Sequence, residues 1–381
     1  MAFDALDSAL DTVLVKVASR CNINCTYCYV YNMGDDNWSH MEKFMSPETI
    51  SALCESLAEI VSRQRKCFSV VLHGGEPFLL GEARLHFLLK SLRSALPEQF
   101  PISIQTNGML ISVPILDICS KYKVSVAVSI DGPEAIHNKY RITHNDQGTF
   151  NKVIEGIDIL KAHPDAQFLY AGLLAVIDPL SNPSEVYNFF KKLDAPSVDF
   201  LYKDGNHTNL PLNKSSLYSL EYGNWMVNLL EVYMNDSKPI KVRVLDDMIK
   251  SLIGGIVTKE GLGLTDFAIV IIDTDGTIMK NDTLKSTYNG ADKFNQPLNI
   301  KEGSLLDFLE SAEFDEYRKM QRPINTKCLS CPELHVCGGG MILHRWSQEN
   351  EFYNPSVYCA DQLHLIKNIR KTLTQYNLKN V

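Results

Sequence analysis

The 381-residue chain has no apolar run long enough to span a bilayer. Its first ten residues, MAFDALDSAL, lack the positive start and apolar centre of a secretory signal. A basic excess is also missing: 37 Lys and Arg stand against 45 Asp and Glu, a formal net charge of −8. That excludes the electrostatic footprint of a nucleic-acid binder, and no basic amphipathic segment points to a membrane surface. The expected setting is cytoplasmic, with neither nucleic acid nor membrane as a partner. Low-complexity segments are absent, and no repeat is visible beyond a βα unit. Between residues 119 and 328 there is no cysteine at all.

That last gap turns attention to where cysteine is found. Ten cysteines in a chain of cytoplasmic type point to metal or redox chemistry before disulfides. Three fall at 21, 25 and 28, and four at 328, 331, 337 and 359. Cys54, Cys67 and Cys119 are scattered and are expected in the core as small hydrophobes. With 45% hydrophobic and 22% charged residues the composition is globular, and the length suits two to three domains.

Residues 13–17 (VLVKV) read as a buried strand. Ser46-Pro47-Glu48 then opens a helix, with a capping residue followed by proline at the first helical position. Strands are expected at 68–72, 102–105, 124–130, 168–177 and 198–202, with helices near 111–121, 149–161 and 184–193. Six alternating units argue for an α/β fold with a parallel sheet. Right-handed crossovers would curl it into a partial (β/α)6 TIM-like barrel. In such folds chemistry sits at the C-terminal strand ends. Here those ends carry the first cysteine group, Gly74-Gly75-Glu76-Pro77, Thr106-Asn107-Gly108 and Ser129-Ile130-Asp131-Gly132. Beyond 205 the alternation stops: a helix near 215–234, an irregular stretch to 264, a hairpin over 268–280 and a final helix over 360–375 are expected.

Cys21, Cys25 and Cys28 supply three thiolates directly after a strand. Iron–sulfur clusters normally take four ligands, so three leave one iron open. A zinc site or a structural thiol cluster is the alternative. The wording CNINCTYCY resembles the radical S-adenosylmethionine superfamily, over about residues 12–205. The resemblance implies that the open iron of a [4Fe–4S] cluster chelates S-adenosylmethionine and generates a 5′-deoxyadenosyl radical. Position by position, it implies that Gly74, Gly75, Glu76 and Pro77 engage the cofactor's ammonium group and that Tyr27 lies near the adenine. Ser129 and Asp131 resemble residues beside the methionine and ribose. Arg141 matches an arginine that neutralises the cofactor carboxylate, and Thr106 and Asn107 shape the cofactor turn.

The second group, Cys328, Cys331, Cys337 and Cys359, would close a four-thiolate site; a zinc ribbon is the alternative. It resembles the C-terminal SPASM domain of radical enzymes that modify peptides. That domain often carries two auxiliary clusters. Here Gly276 is present, but Asn281 and Met341 stand at two cysteine positions and a third cysteine has no counterpart. One auxiliary [4Fe–4S] cluster is therefore expected. The implied layout is a barrel over 1–210, a helical bridge over 211–264 and a SPASM-like domain over 265–381.

The overall wording is most like the three-residue cyclophane-forming maturases of ribosomal peptides. That implies a precursor peptide as substrate, a carbon–carbon bond between an aromatic ring and a β-carbon, and a reducing partner such as flavodoxin or ferredoxin. Asp282, directly after Asn281, is the expected proton acceptor beside a cavity left by the missing cluster. A formylglycine-forming sulfatase maturase, a thioether crosslink or an epimerisation are alternatives, as is a non-catalytic iron–sulfur carrier. With the first strand near 13, no winged-helix recognition domain is expected ahead of the barrel. Any leader would then use the barrel mouth, the SPASM surface or residues 205–264.

Overall fold

The computed structural model describes residues 10–34, 36–64, 66–257, 259–265 and 267–375. The reading of the first ten residues therefore lies almost wholly outside the described ones. The chain forms two compact units: residues 1–130, 137–172 and 268–317, and residues 131–136, 173–267 and 318–381. Among the described residues no helix is long and apolar enough to cross a membrane.

The strands are β1 (Thr12–Ala18), β2 (Asn24–Cys25), β3 (Ser69–Gly74), β4 (Ile102–Thr106), β5 (Val124–Ser129), β6 (Arg141–Ile142), β7 (Tyr170–Val176), β8 (Ser197–Leu201), β9 (Lys241–Val242), β10 (Ile269–Ile272) and β11 (Ile278–Met279). In the first unit β1, β3, β4 and β5 pair side by side and parallel. The intervening helices Pro47–Arg63, Gly81–Ala95 and Val113–Lys121 supply the crossovers that parallel pairing demands. The first starts as its sequence says: Ser46 Oγ accepts from Thr49 N at 3.1 Å, with Pro47 behind it. The alternating α/β pattern with a parallel sheet, expected from the spacing, is present.

The expected hairpin also forms, with β10 antiparallel to β11. Its larger role was not visible in the sequence. β10 adds parallel to the free side of β1, with Leu14 opposite Ile271 and Val15 opposite Ile272. This places 268–317 in the first unit, along a different line from the division at 265. A run such as IVII, buried at all four residues, suits a sheet covered on both faces.

In the second unit, residues 173–176 of β7 pair parallel with β8, and β8 with β9. The helix Cys359–Gln375 packs on Glu221–Asn235. Gly223 permits the approach, since a Cβ there would stand 2.9 Å from Asp361 Cα. The stretch expected to be irregular holds a further helix, Arg243–Leu252. Of the scattered cysteines, Cys119 is buried as expected, but Cys54 is only half-buried and Cys67, just ahead of β3, is exposed. Solvent reaches Cys67 because it lies in the turn before the strand, not within it.

Candidate functional site

Three cysteines follow β1 on one loop. The loop is held by a two-stranded ladder: β2 pairs antiparallel with β6, so that Cys25 stands opposite Arg141. Thr26 N donates to Tyr140 O at 2.9 Å and His144 Nε2 lies 3.0 Å from Cys21 O. Arg141 is only 7% exposed, and its Nη1 donates to the Tyr27 hydroxyl at 3.0 Å. It is therefore a buried cation behind the thiols, not a surface residue.

The loop after β3 locks onto the same region. Gly75 N donates to Ala18 O at 2.8 Å and Glu76 N to Arg20 O at 3.0 Å. A Cβ on Gly75 would meet Arg20 O at 2.1 Å and the Tyr31 hydroxyl at 2.3 Å, so only glycine fits. Glu76 is fully buried. Its carboxylate accepts from Thr106 Oγ1 at 2.6 Å, Asn107 N at 2.7 Å and Phe78 N at 3.0 Å. Burial pushes its carboxyl above the ordinary value, and those three donors work against that shift. Thr106 and Asn107 thus fasten Glu76 as well as shape a turn, and Asn107 Nδ2 donates on to Asn22 Oδ1 at 2.7 Å. Gln105 Nε2 donates to Ser129 Oγ at 2.8 Å. Asp131 falls in the other unit, buried, accepting from Val176 N at 3.1 Å.

The donor set fits an iron–sulfur cluster. Burial raises the Cys21 thiol to about 12 and the Cys28 thiol to about 11 in the bare chain. Thiolates so disfavoured call for a cationic partner, and metal coordination supplies one.

Asp282 departs from a solvated hairpin end. It is 2% exposed, and Lys16 Nζ lies 2.8 Å from its Oδ1 and 3.1 Å from Asp273 Oδ2. Burial alone would lower the Lys16 ammonium; Asp282 and Asp273 more than reverse this and hold it above its ordinary value. Asn281 is a cap, its Oδ1 accepting from Thr283 N at 3.0 Å. A cavity of about 310 Å³ does lie here, lined by Lys16 and Asp273 among others. Asp282 is not in that lining and meets the cavity through Lys16.

Lys16 was missed in the sequence, as was His73. The two are register partners on neighbouring parallel strands and share one face of the sheet. Burial holds His73 below its ordinary value, in the neutral form. The signals were a lone lysine in an apolar strand and a histidine directly before Gly-Gly.

In the second unit Cys328 and Cys337 lie in the single-turn helices Thr326–Leu329 and Leu334–Cys337, Cys331 lies between them, and Cys359 opens the helix Cys359–Gln375. Asn325 Oδ1 caps the first by accepting from Cys328 N at 3.0 Å. Gly338, Gly339 and Gly340 follow with φ of 64°, 83° and 69°, which reverses the chain before Met341. Cys337 Sγ donates to Gln362 Oε1 at 3.0 Å, and burial raises its thiol to about 12. Arg345, 1% exposed, donates to Met320 O and Gln321 O at 3.0 and 2.8 Å. Burial lowers its guanidinium to about 10, against the pull of Cys328 and Cys337. Among the described residues no three His, Cys, Asp or Glu side chains are grouped for a single metal ion. A cubane cluster spreads its thiolates over separate iron corners, and they need not meet at a point.

Residues 15–174 match the Radical SAM superfamily. That stretch contains the first cysteines, the Gly-Gly-Glu-Pro loop, Ser129, Asp131 and Arg141, so the chain carries a radical SAM domain. Along nearly its whole length it is similar to a cysteine-type anaerobic sulfatase-maturating enzyme of Clostridium perfringens, 25% identical over 362 residues, covering 91% of this chain and 93% of that one. In fold it resembles native anSMEcpe with bound AdoMet, with a TM-score of 0.79 at 22% identity, covering 97% of this chain and 100% of that one. Streptococcus suis SuiB bound to its precursor peptide SuiA follows at a TM-score of 0.62 and 16% identity, covering 92% and 76%.

Proposed function

We propose that this enzyme oxidises a residue within a peptide or protein, using S-adenosylmethionine at a three-cysteine [4Fe–4S] cluster. The observation that carries the reading is the buried Arg141 opposite Cys25, with Glu76 clamped beside the same loop. Cys21, Cys25 and Cys28 would hold the cluster. Gly74, Gly75, Glu76 and Pro77 would take the cofactor's amino end, and Arg141 its carboxylate through a guanidinium fork. Tyr27, Ser129 and Asp131 would contact adenine, methionine and ribose. Cys328, Cys331, Cys337 and Cys359 would hold one auxiliary cluster. When bound, the cofactor supplies a 5′-deoxyadenosyl radical that abstracts hydrogen from substrate.

The residues here then have two tasks. Arg141 and Glu76 are already desolvated and fixed, so binding reorganises little. Asp282 would accept a proton released by the substrate, with Lys16, 2.8 Å from its Oδ1, orienting the carboxylate.

Similarity along the whole chain supports side-chain oxidation of the sulfatase-maturating kind, Cys or Ser to formylglycine, more directly than the crosslink read from the sequence. The aromatic-to-β-carbon crosslink is the second reading, favoured by Asn281 and Met341 where a second auxiliary cluster would need cysteine. Anaerobic incubation with S-adenosylmethionine, dithionite and candidate peptides separates them. Formylglycine captures a hydrazide; a crosslink loses two hydrogens, does not capture it and resists sequencing across the bridge. Absence of 5′-deoxyadenosine in every arm would overturn the enzyme reading itself.

A further inference from the structure

The cavity beside Lys16 has walls of Tyr31, Trp38, Phe294, Met41 and Met279. At about 310 Å³ it is at the small end of ligand pockets, the scale of one large side chain. Tyr31 and Trp38 meet edge to face at 5.0 Å, and aromatic edges and thioethers both favour an inserted ring. The buried part of the polar lining is built of paired charges, while the half-exposed Asp275 and the exposed Lys293 line the cavity nearer solvent. Lys16 is shared by Asp273 and Asp282, and Lys285 Nζ lies 3.3 Å from Asp292 Oδ2. All five are buried, so a charged guest would break a desolvated pair to be neutralised. A neutral guest would not. The Lys16 ammonium has three N–H donors, and two carboxylates take two of them, which leaves one for an acceptor.

We propose that this cavity receives a phenol ring, the side chain of a tyrosine in the peptide substrate, with its hydroxyl oxygen accepting from Lys16. The proposal rests on the reading of the chain as a peptide-modifying enzyme. It goes beyond that reading in naming the residue recognised and the pocket that holds it. Tryptophan fits the walls, but its indole N–H donates only and cannot use the remaining lysine donor. Phenylalanine fills the walls and leaves that donor without a partner.

The probes are N-acetyl amides of tyrosine, phenylalanine, lysine and alanine, titrated into the anaerobically reconstituted enzyme and followed by saturation-transfer NMR. Tyrosinamide should bind about tenfold more tightly than phenylalaninamide, the size of one hydrogen bond to a charged group. Lysinamide and alaninamide should show no saturable binding. Lys16→Met should bring tyrosinamide down to the phenylalanine level. Thr277→Trp, at a lining position away from the cysteine loop, should abolish binding of both aromatic amides. Met41→Trp is the parallel variant should the hairpin not tolerate the first. Equal binding of all four amides, preference for the lysine amide, or tyrosinamide binding unchanged in both filled variants would each overturn the proposal. 5′-deoxyadenosine formation, measured on the same preparations without peptide, reports separately on the radical enzyme reading.

Discussion

The two cysteine groups are built differently. The first lies on an open loop whose thiols are all half-buried, held by β-ladder contacts and by carbonyls of the loop's own backbone. Around it stand a buried guanidinium, glycines that let two backbone segments approach closely, and a clamped glutamate. The second sits on two single-turn helices and the start of a long one, with a capping asparagine, a left-handed glycine run and a fully buried arginine already committed to two carbonyls. Three cysteines with polar neighbours suit a site that must accept a substrate; four cysteines, enough to close a cluster, suit one that only passes electrons.

Reciprocal deletion is the strongest way to break this contrast. Cys21, Cys25 and Cys28 changed together to Ala should reduce 5′-deoxyadenosine to background and leave about four of about eight iron per chain. Changing Cys328, Cys331, Cys337 and Cys359 should leave a similar iron content yet retain peptide-independent cofactor cleavage. Loss of cleavage in the second set would erase the distinction, and about twelve iron in the native enzyme would refute a single auxiliary cluster.

Arg141 and Arg345 are both buried arginines and should differ in kind. Arg141→Lys keeps charge but loses the fork, and should weaken S-adenosylmethionine binding by roughly 10- to 100-fold, read by calorimetry on reconstituted protein. Arg345→Lys should leave that affinity within about twofold, since Arg345 lies in the turn of the other cysteine group.

Asp282→Asn tests a third role. Deoxyadenosine should still form, because hydrogen abstraction comes first, while modified peptide falls by about 10²- to 10⁴-fold. Unchanged product would leave Asp282 as the structural partner of Lys16 only.

The smallest effect concerns acid. Each unit buries a neutral histidine, His137 and His344, both pushed by burial from 6.5 to about 3. The unfolded chain takes up these protons first, so stability is complete above about 6.5 and is lost as pH falls toward 3. Each should cost about 2 kcal/mol between pH 7 and 5. His344→Gln, which cannot titrate, should show a shallower drop in melting temperature over that interval than the native protein.

Much of the site was legible because it is local. Cys21 to Cys28 share one loop, and the Gly-Gly-Glu-Pro and Thr106-Asn107 turns each follow a strand whose apolar pattern announces it. Alternating helices and strands gave the parallel sheet directly. What could not be read were partners set by register between distant segments. Lys16 faces Asp282 only because β10 joins β1, and nothing in the run IVII says which strand it will join. Likewise the burial of Arg141 could not be read until β6 was seen against β2. Cys67 was taken as core from its neighbours, although it precedes the first residue the sheet covers.

The pairing of β2 with β6 also sets a timetable. The cysteine loop has no strand to lean on until Arg141 and Ile142 have been made, and β1 keeps an open side until Ile269–Ile272 arrives. At ordinary synthesis rates of about 5–20 residues per second, each wait is on the order of ten seconds. During it the three thiols belong to a loose nascent segment, open to oxidation and to stray metal. Loading of iron and sulfide at the first site is thus a late event in the life of the polypeptide, and the oxygen sensitivity of newly made chains should exceed that of finished ones.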